Sequence, residues 1–193
     1  MELRAPLRKE DVLKLRAGDV IYLSGEVITA RDRANHRLLE VLRRGERPPV
    51  ELNGAVIYHC GPVAKREGDK WRILAAGPTT SARLNEVTEK LLEHVEIIGL
   101  MGKGGMSSGV QEKLRGKGIY LAYPGGASTL ASERILEVKD VYWEDLGMPE
   151  AIWVLRIERF GPLVVGIDAH GRSIYEEVER EVRKNLERII GRR

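Results

Sequence analysis

Apolar positions recur along this chain in two periods, and the switches between them predict its elements. Runs rich in Val, Ile, Leu and Tyr predict strands over residues 3–7, 19–24, 55–60, 71–76, 96–102, 119–123, 135–142, 151–157 and 163–167. Helical spacing predicts helices over 29–44, 80–94, 106–114 and 174–190, with a turn or two over 9–15. Leu38, Leu39, Val41 and Leu42 supply the apolar face of the first long helix. Gly25 is expected to break the second strand, with 26–29 continuing as extended chain, and 65–70 reads as a charged, hairpin-like turn. Strands alternate with helices through 71–123, which predicts a parallel α/β layer. The flanking strands lack intervening helices and predict a second, antiparallel sheet. Ligands of parallel sheets gather beyond the carboxyl ends of the strands, which singles out three Gly-containing turns: 77–83, 102–105 and 125–128.

The first of these turns carries the most chemistry. Gly77-Pro78 stops the preceding strand, because Pro cannot donate to a ladder. Thr79, Thr80 and Ser81 then stand where a helix needs oxygens for its first free N–H groups, with Arg83 about one turn on. Such an entrance suits a carboxylate or another anion; the plainer reading is an ordinary cap followed by a solvated arginine. Arg31 stands at a second strand-to-helix handover, where Thr29 or Asp32 is the expected cap, and Lys103 follows a third strand. Arginine offers a planar fork matched to carboxylates, and lysine a compact point charge.

Composition narrows the field. The 193 residues, 42% hydrophobic and 32% charged, suit a globular chain with a sizeable core. The net charge of +3 is spread among acidic residues; Arg43-Arg44 and Arg192-Arg193 read as helix ends. Aromatic residues are few and do not interleave with a basic stripe, which argues against nucleic acid. The lone Cys60 excludes an internal disulfide and any cysteine-based metal or iron–sulfur site built by this chain alone. His36, His59, His94 and His170 are scattered rather than spaced as metal ligands, and His94 suits the last turn of a helix. Gly102-Lys103-Gly104 fits neither a phosphate loop nor a dinucleotide fingerprint. No run approaches a membrane span and the first 16 residues lack a signal peptide's apolar centre, so a cytoplasmic location is expected. What remains is a set of anion binders, Arg31, Thr79, Thr80, Arg83 and Lys103.

Five strings now stand out: Gly-Asp-Val-Ile-Tyr-Leu-Ser-Gly-Glu-Val-Ile-Thr-Ala-Arg-Asp (18–32), Ile-Tyr-His-Cys-Gly-Pro-Val (57–63), Ala-Gly-Pro-Thr-Thr-Ser-Ala-Arg (76–83), Gly-Lys-Gly-Gly-Met (102–106) and Val-Tyr-Trp-Glu-Asp-Leu-Gly-Met-Pro-Glu-Ala (141–151). With these, nearly the whole chain resembles the β subunit of class I fumarate hydratase, the C-terminal domain of its single-chain forms, and the β subunit of L(+)-tartrate dehydratase. The resemblance implies one swivelling β/β/α domain over 1–193, with a parallel-type central sheet, a second antiparallel sheet and a helical layer. It implies reversible hydration of fumarate to L-malate in a hetero-oligomer of αβ units. A [4Fe-4S] cluster would be held by the cysteines of the α subunit. Arg31, Thr80, Arg83 and Lys103 would then hold the dicarboxylate, and Thr79 would take the proton beside Arg83. The four-residue step to Arg83 favours Thr79 over Thr80. Ser81-Ala82-Arg83 departs from the Ala-Gly-Arg common in such relatives, and Asn35 before His36 is a second departure. Tartrate dehydration and a non-catalytic dicarboxylate-binding domain are the competing expectations.

Overall fold

The computed structural model describes residues 1–191, so Arg192-Arg193 lie outside the described residues. Strands β1 (Glu2–Ala5), β2 (Val20–Thr29), β3 (Val56–Tyr58), β6 (Gly99–Gly102) and β7 (Ile119–Ala122) run parallel to their neighbours in that order. The helices α2 (Asp32–Arg43), α3 (Asn85–His94) and α4 (Ser108–Leu114) lie between these strands in sequence, as a parallel layer requires. The short α1 (Lys9–Val12) joins β1 to β2. Alternate strand residues enter two cores. Val56, Tyr58, Met101 and Leu121 join Phe160 and Trp153 in one. Ile57, Leu100 and Tyr120 meet Leu38, Leu91 and Val110 of the helices in the other.

The sheet differs from the expected one in how it ends. The runs at 151–157 and 163–167 form a single strand, β9 (Ile152–Ile167), which continues through Arg159 (φ 45°) and Gly161 (φ 143°). It pairs antiparallel with β2 along much of its length, from Val20–Val164 to Ile28–Val154, and with β7 at its far end. The ring β2–β3–β6–β7–β9 thereby closes on itself and becomes barrel-like. Strand β8 (Ile135–Tyr142) adds to the outer side of β9 in the same sheet. The expected second antiparallel sheet is therefore reduced to one hairpin, β4 (Val63–Glu67) and β5 (Lys70–Ala75). Nor does Gly25 break β2: at φ 105° it keeps the strand continuous, with a register shift beside it. A side chain there would stand 2.2 Å from the Ala5 carbonyl oxygen of β1.

Two further elements complete the chain. The short helix α5 (Ser128–Ser132) follows β7, and α6 (Ile174–Ile190) leaves the body after β9. No described helix is long and apolar enough to cross a membrane.

Candidate functional site

The three turns chosen from sequence meet at the carboxyl ends of β5, β6 and β7. β6 and β7 are parallel neighbours and so end on one side, whereas β5 lies in the separate hairpin and not in the parallel layer expected over 71–123; backbone bonds sew all three turns together. Thr79 N–H donates to the His59 carbonyl at 2.7 Å, Lys103 N–H to the Thr79 carbonyl at 3.3 Å, and Ser81 N–H to the Lys103 carbonyl at 2.9 Å. From the third turn, Tyr123 N–H donates to the Gly102 carbonyl at 2.8 Å, and Ser128 accepts from Ala76 N–H at 3.0 Å. Thr79, Thr80 and Lys103 are thus neighbours by backbone geometry. The Lys103 side chain lies over Gly125, where an added methyl would stand 3.3 Å from Nζ. No carboxylate of the described residues lies within 4.0 Å of that ammonium.

This stitching changes the helix entrance. Residues Ser81–Leu84 form a 3-10 turn, and the α-helix begins only at Asn85. Thr80 occupies the cap position without its side chain accepting an N–H; Arg83 N–H donates to the Thr80 carbonyl instead, at 3.4 Å. The capping role expected of these hydroxyls is therefore not observed. Among the described residues neither Thr79 nor Thr80 uses its hydroxyl in a hydrogen bond. Likewise, Thr29 does not cap α2: its Oγ1 accepts from Trp153 N–H at 3.1 Å inside the sheet. Arg31 takes the cap position, and Asp32 opens the helix.

Asp32 brings the two arginines together. Arg83 donates to its Oδ2 at 2.7 Å, and Arg31 Nη2 lies 3.7 Å from the same oxygen. Burial alone would push the Asp32 carboxyl up, but the Arg83 hydrogen bond and the charges of Arg83 and Arg31 hold it below the usual range. Arg31 also crosses Gly61, where a methyl would meet its Cδ at 2.6 Å. Its buried Nε has no hydrogen-bond acceptor, and Glu150 Oε1 stands 3.5 Å away. Cys60, next to Gly61, pairs as an isolated bridge with Pro78, so the Arg31 handover adjoins the Thr79 turn. All five residues chosen from sequence fall in one region.

Beneath them lies a polar group that sequence reasoning passed over. His59 is fully buried, and its Nδ1 stands 2.9 Å from Ser81 Oγ, which also accepts from Tyr120 OH at 3.1 Å. His59 Nε2 is buried without a partner. Burial lowers the His59 pKa to about 4 despite the nearby charge of Asp32, so the ring is neutral at pH 7. The one available signal was Ser81 itself, the departure from the common motif. Asp32 and Glu150 were also missed as arginine partners, although both lie inside the quoted strings. His94 ends α3 exposed to solvent, in keeping with its sequence reading.

Cluster chemistry fits this chain poorly. Cys60 is buried in the core, and burial raises its thiol to about 12 against the lowering effects of Arg31 and Tyr58. A single inaccessible, protonated sulfur is no iron–sulfur ligand set. A cleft of about 300 Å³ between β5 and β8 is lined by Trp71, Ile73, Ser132 and Leu136 and shares no residue with the cation cluster.

The family model described as "Fumarase C-terminus" matches residues 1–178. The chain belongs to this family. Similarity extends over nearly full length to two subunits. One is the "Putative L(+)-tartrate dehydratase subunit beta" of Methanocaldococcus jannaschii, 44% identical over 96% of both chains. The other is the "L(+)-tartrate dehydratase subunit beta" of Escherichia coli (strain K12), 38% identical over 97% of this chain and 92% of its own. The "Putative fumarate hydratase class I" of Geobacillus stearothermophilus is also 38% identical, over 95% of this chain but only 35% of its own length. In that relative the family unit is one part of a longer polypeptide.

Proposed function

We propose that this chain is the β subunit of a heteromeric hydro-lyase that interconverts fumarate and L-malate in the cytoplasm, and that it supplies half of the active site. The reading is supported by the adjacency of the turns that carry Arg31, Thr79, Thr80, Arg83 and Lys103, joined by backbone bonds and by the contact of both arginines with Asp32. Arg31 and Arg83 are tied to Asp32 and Glu150, while Lys103 meets no carboxylate among the described residues. A dicarboxylate fits this surplus: one carboxylate on Lys103 and Thr80, the other on the free N–H groups of the arginines.

Removal of the proton next to a carboxylate builds negative charge on that carboxylate, and these fixed cations stabilise it. Thr79 takes the proton from C3 of malate onto its alkoxide oxygen, whose formation Arg83 and Lys103 favour. In hydration the same hydroxyl returns the proton to C3. A [4Fe-4S] cluster would be held by the α subunit, since Cys60 offers no ligand set, and would supply Lewis-acid assistance to the loss of the substrate's hydroxyl. A buried free thiol also suits a reducing compartment.

Tartrate is the second substrate reading, favoured by the names of the two near-full-length relatives. The test is an anaerobic assay of the chain reconstituted with a cysteine-bearing α subunit against fumarate, L-malate and L(+)-tartrate. Turnover of fumarate and malate supports the first reading, and turnover of tartrate alone the second. Dicarboxylate binding without turnover of any of the three leaves a binding domain and overturns both.

A further inference from the structure

Helix α6 carries an apolar stripe that nothing in the described chain covers. Val178, Val182, Leu186, Ile189 and Ile190 recur at three- and four-residue steps and are 52–67% exposed. No residue of the helix is buried. The first turn rests on the body through Tyr175, whereas from Val178 on the stripe is exposed and calls for a partner.

Its charges say which partner. Residues 174–181 carry four glutamates against Arg180, a net −3, while described residues 182–191 carry Arg183, Lys184 and Arg188 against Glu187, a net +2. The helix dipole accounts for such segregation only in the first and last turns, whereas Glu179, Glu181, Arg183 and Lys184 lie mid-helix. A rod that is acidic at one end and basic at the other complements itself when reversed.

We propose that α6 packs antiparallel against α6 of a second copy, with the two-fold axis near Val182. In that register Val178 faces Leu186 of the second copy, while Tyr175 stays packed on Tyr120 of its own chain. Glu177 and Glu181 lie opposite Arg188 and Lys184, in the self-complementary pattern of a two-fold interface. The Lys184–Glu181 contact within one helix is long at 3.8 Å and solvent-exposed, and it can exchange for the contact between copies. The paired helices are about 25 Å long. Such an interface falls at the small end of specific interfaces and implies dissociation in the micromolar range.

Sedimentation of the full chain from about 1 to 200 µM tests this across the expected range. The expected result is a rise from 21.7 kDa towards twice that mass. Val182→Glu sets two like charges on the axis and should weaken the dimer by more than about 100-fold. Its circular dichroism and unfolding midpoint should stay unchanged. Glu181→Lys should weaken it less, and Glu181→Lys with Lys184→Glu should restore it. For orientation, Val178→Cys mixed with Leu186→Cys should form a disulfide between unlike chains, while Val178→Cys alone should not. A chain monomeric throughout, a dimer indifferent to Val182→Glu, or a disulfide from Val178→Cys alone would each overturn the proposal. So would an α subunit that stops binding the Val182→Glu chain while self-association persists. None of these readouts depends on turnover, so they are independent of the catalytic reading.

Discussion

Arg83 and Arg183 carry the same side chain and each holds a carboxylate, yet only one of them can serve a site. Arg83 reaches Asp32, 51 residues away, and so ties the turn after β5 to the start of α2. Arg183 reaches Glu179 one turn back on its own helix. The second kind of pair contributes a few tenths of a kcal/mol and fixes nothing beyond the helix. The first fixes the position of one element against another. The contrast extends to the backbone: around Arg83, bonds from His59, Lys103 and Ser81 lock three turns together, while past residue 178 α6 has no comparable anchor. In a chain that is 32% charged, sign and abundance say little. Charges become chemistry where the fold removes their freedom.

The sharpest way to break this contrast is Thr79→Val. The substitution keeps the shape and removes a hydroxyl that makes no hydrogen bond among the described residues, so stability should move by less than about 0.5 kcal/mol. If Thr79 moves the proton, turnover of the reconstituted enzyme should fall roughly 10²- to 10⁴-fold, the usual share of general acid–base catalysis. Steady-state kinetics beside a melting curve reads both. A variant that melts early yet turns over normally would return the turn to a purely structural role.

The buried base of the site gives the next effect. His59 has a folded pKa of about 4 against an ordinary value of 6.5, so the fold keeps it neutral while the unfolded chain binds a proton below 6.5. Stability that depends on this group is complete above pH 6.5 and is lost as pH falls towards 4, by about 3 kcal/mol at full burial. Asp32 works in the same direction only below its ordinary value of 3.8, so the two windows separate. Denaturant unfolding at pH 7, 6, 5 and 4.5 should show the decline, and His59→Gln should flatten it. An equal slope in the variant would assign the decline to other groups.

Much of this was legible in the sequence. The place of β5, expected in the parallel layer and found in the hairpin, was not, whereas the strands around β3 and β7, the helices α2 to α4 and α6, and the meeting of the second and third turns all follow from periodicity and from parallel topology. Closure of the ring was not. The break at Gly161-Pro162 splits β9 into two apparent strands, and pairing with β2 is a long-range choice that no local pattern records. The capping assignments failed for a related reason. A sequence shows which oxygens could cap, but Trp153 N–H, from a distant strand, claims the Thr29 hydroxyl, and the Thr80 carbonyl accepts from Arg83 in place of its side chain. Asp32, Glu150 and His59 were hidden in the same way, as their roles come from contacts across the fold.

The mildest effect separates the two regions directly. Arg31→Ala and Lys103→Ala should each weaken dicarboxylate binding to the assembled enzyme by about 1.5–3 kcal/mol, the scale of a charge-assisted hydrogen bond. Lys103→Ala removes a cation that no carboxylate of the described residues approaches within 4.0 Å, so its melting temperature should hold. Arg31→Ala also releases Glu150 and Asp32, so it should lose some stability as well as affinity. Arg183→Ala is the control: it breaks an exposed pair within one helix and should change binding not at all and stability by less than about 0.5 kcal/mol. Calorimetric titration of the three variants with fumarate decides the matter. Equal affinity losses at Lys103 and Arg183 would mean that the enzyme senses overall charge, and the fixed geometry of the turns would then explain nothing about binding.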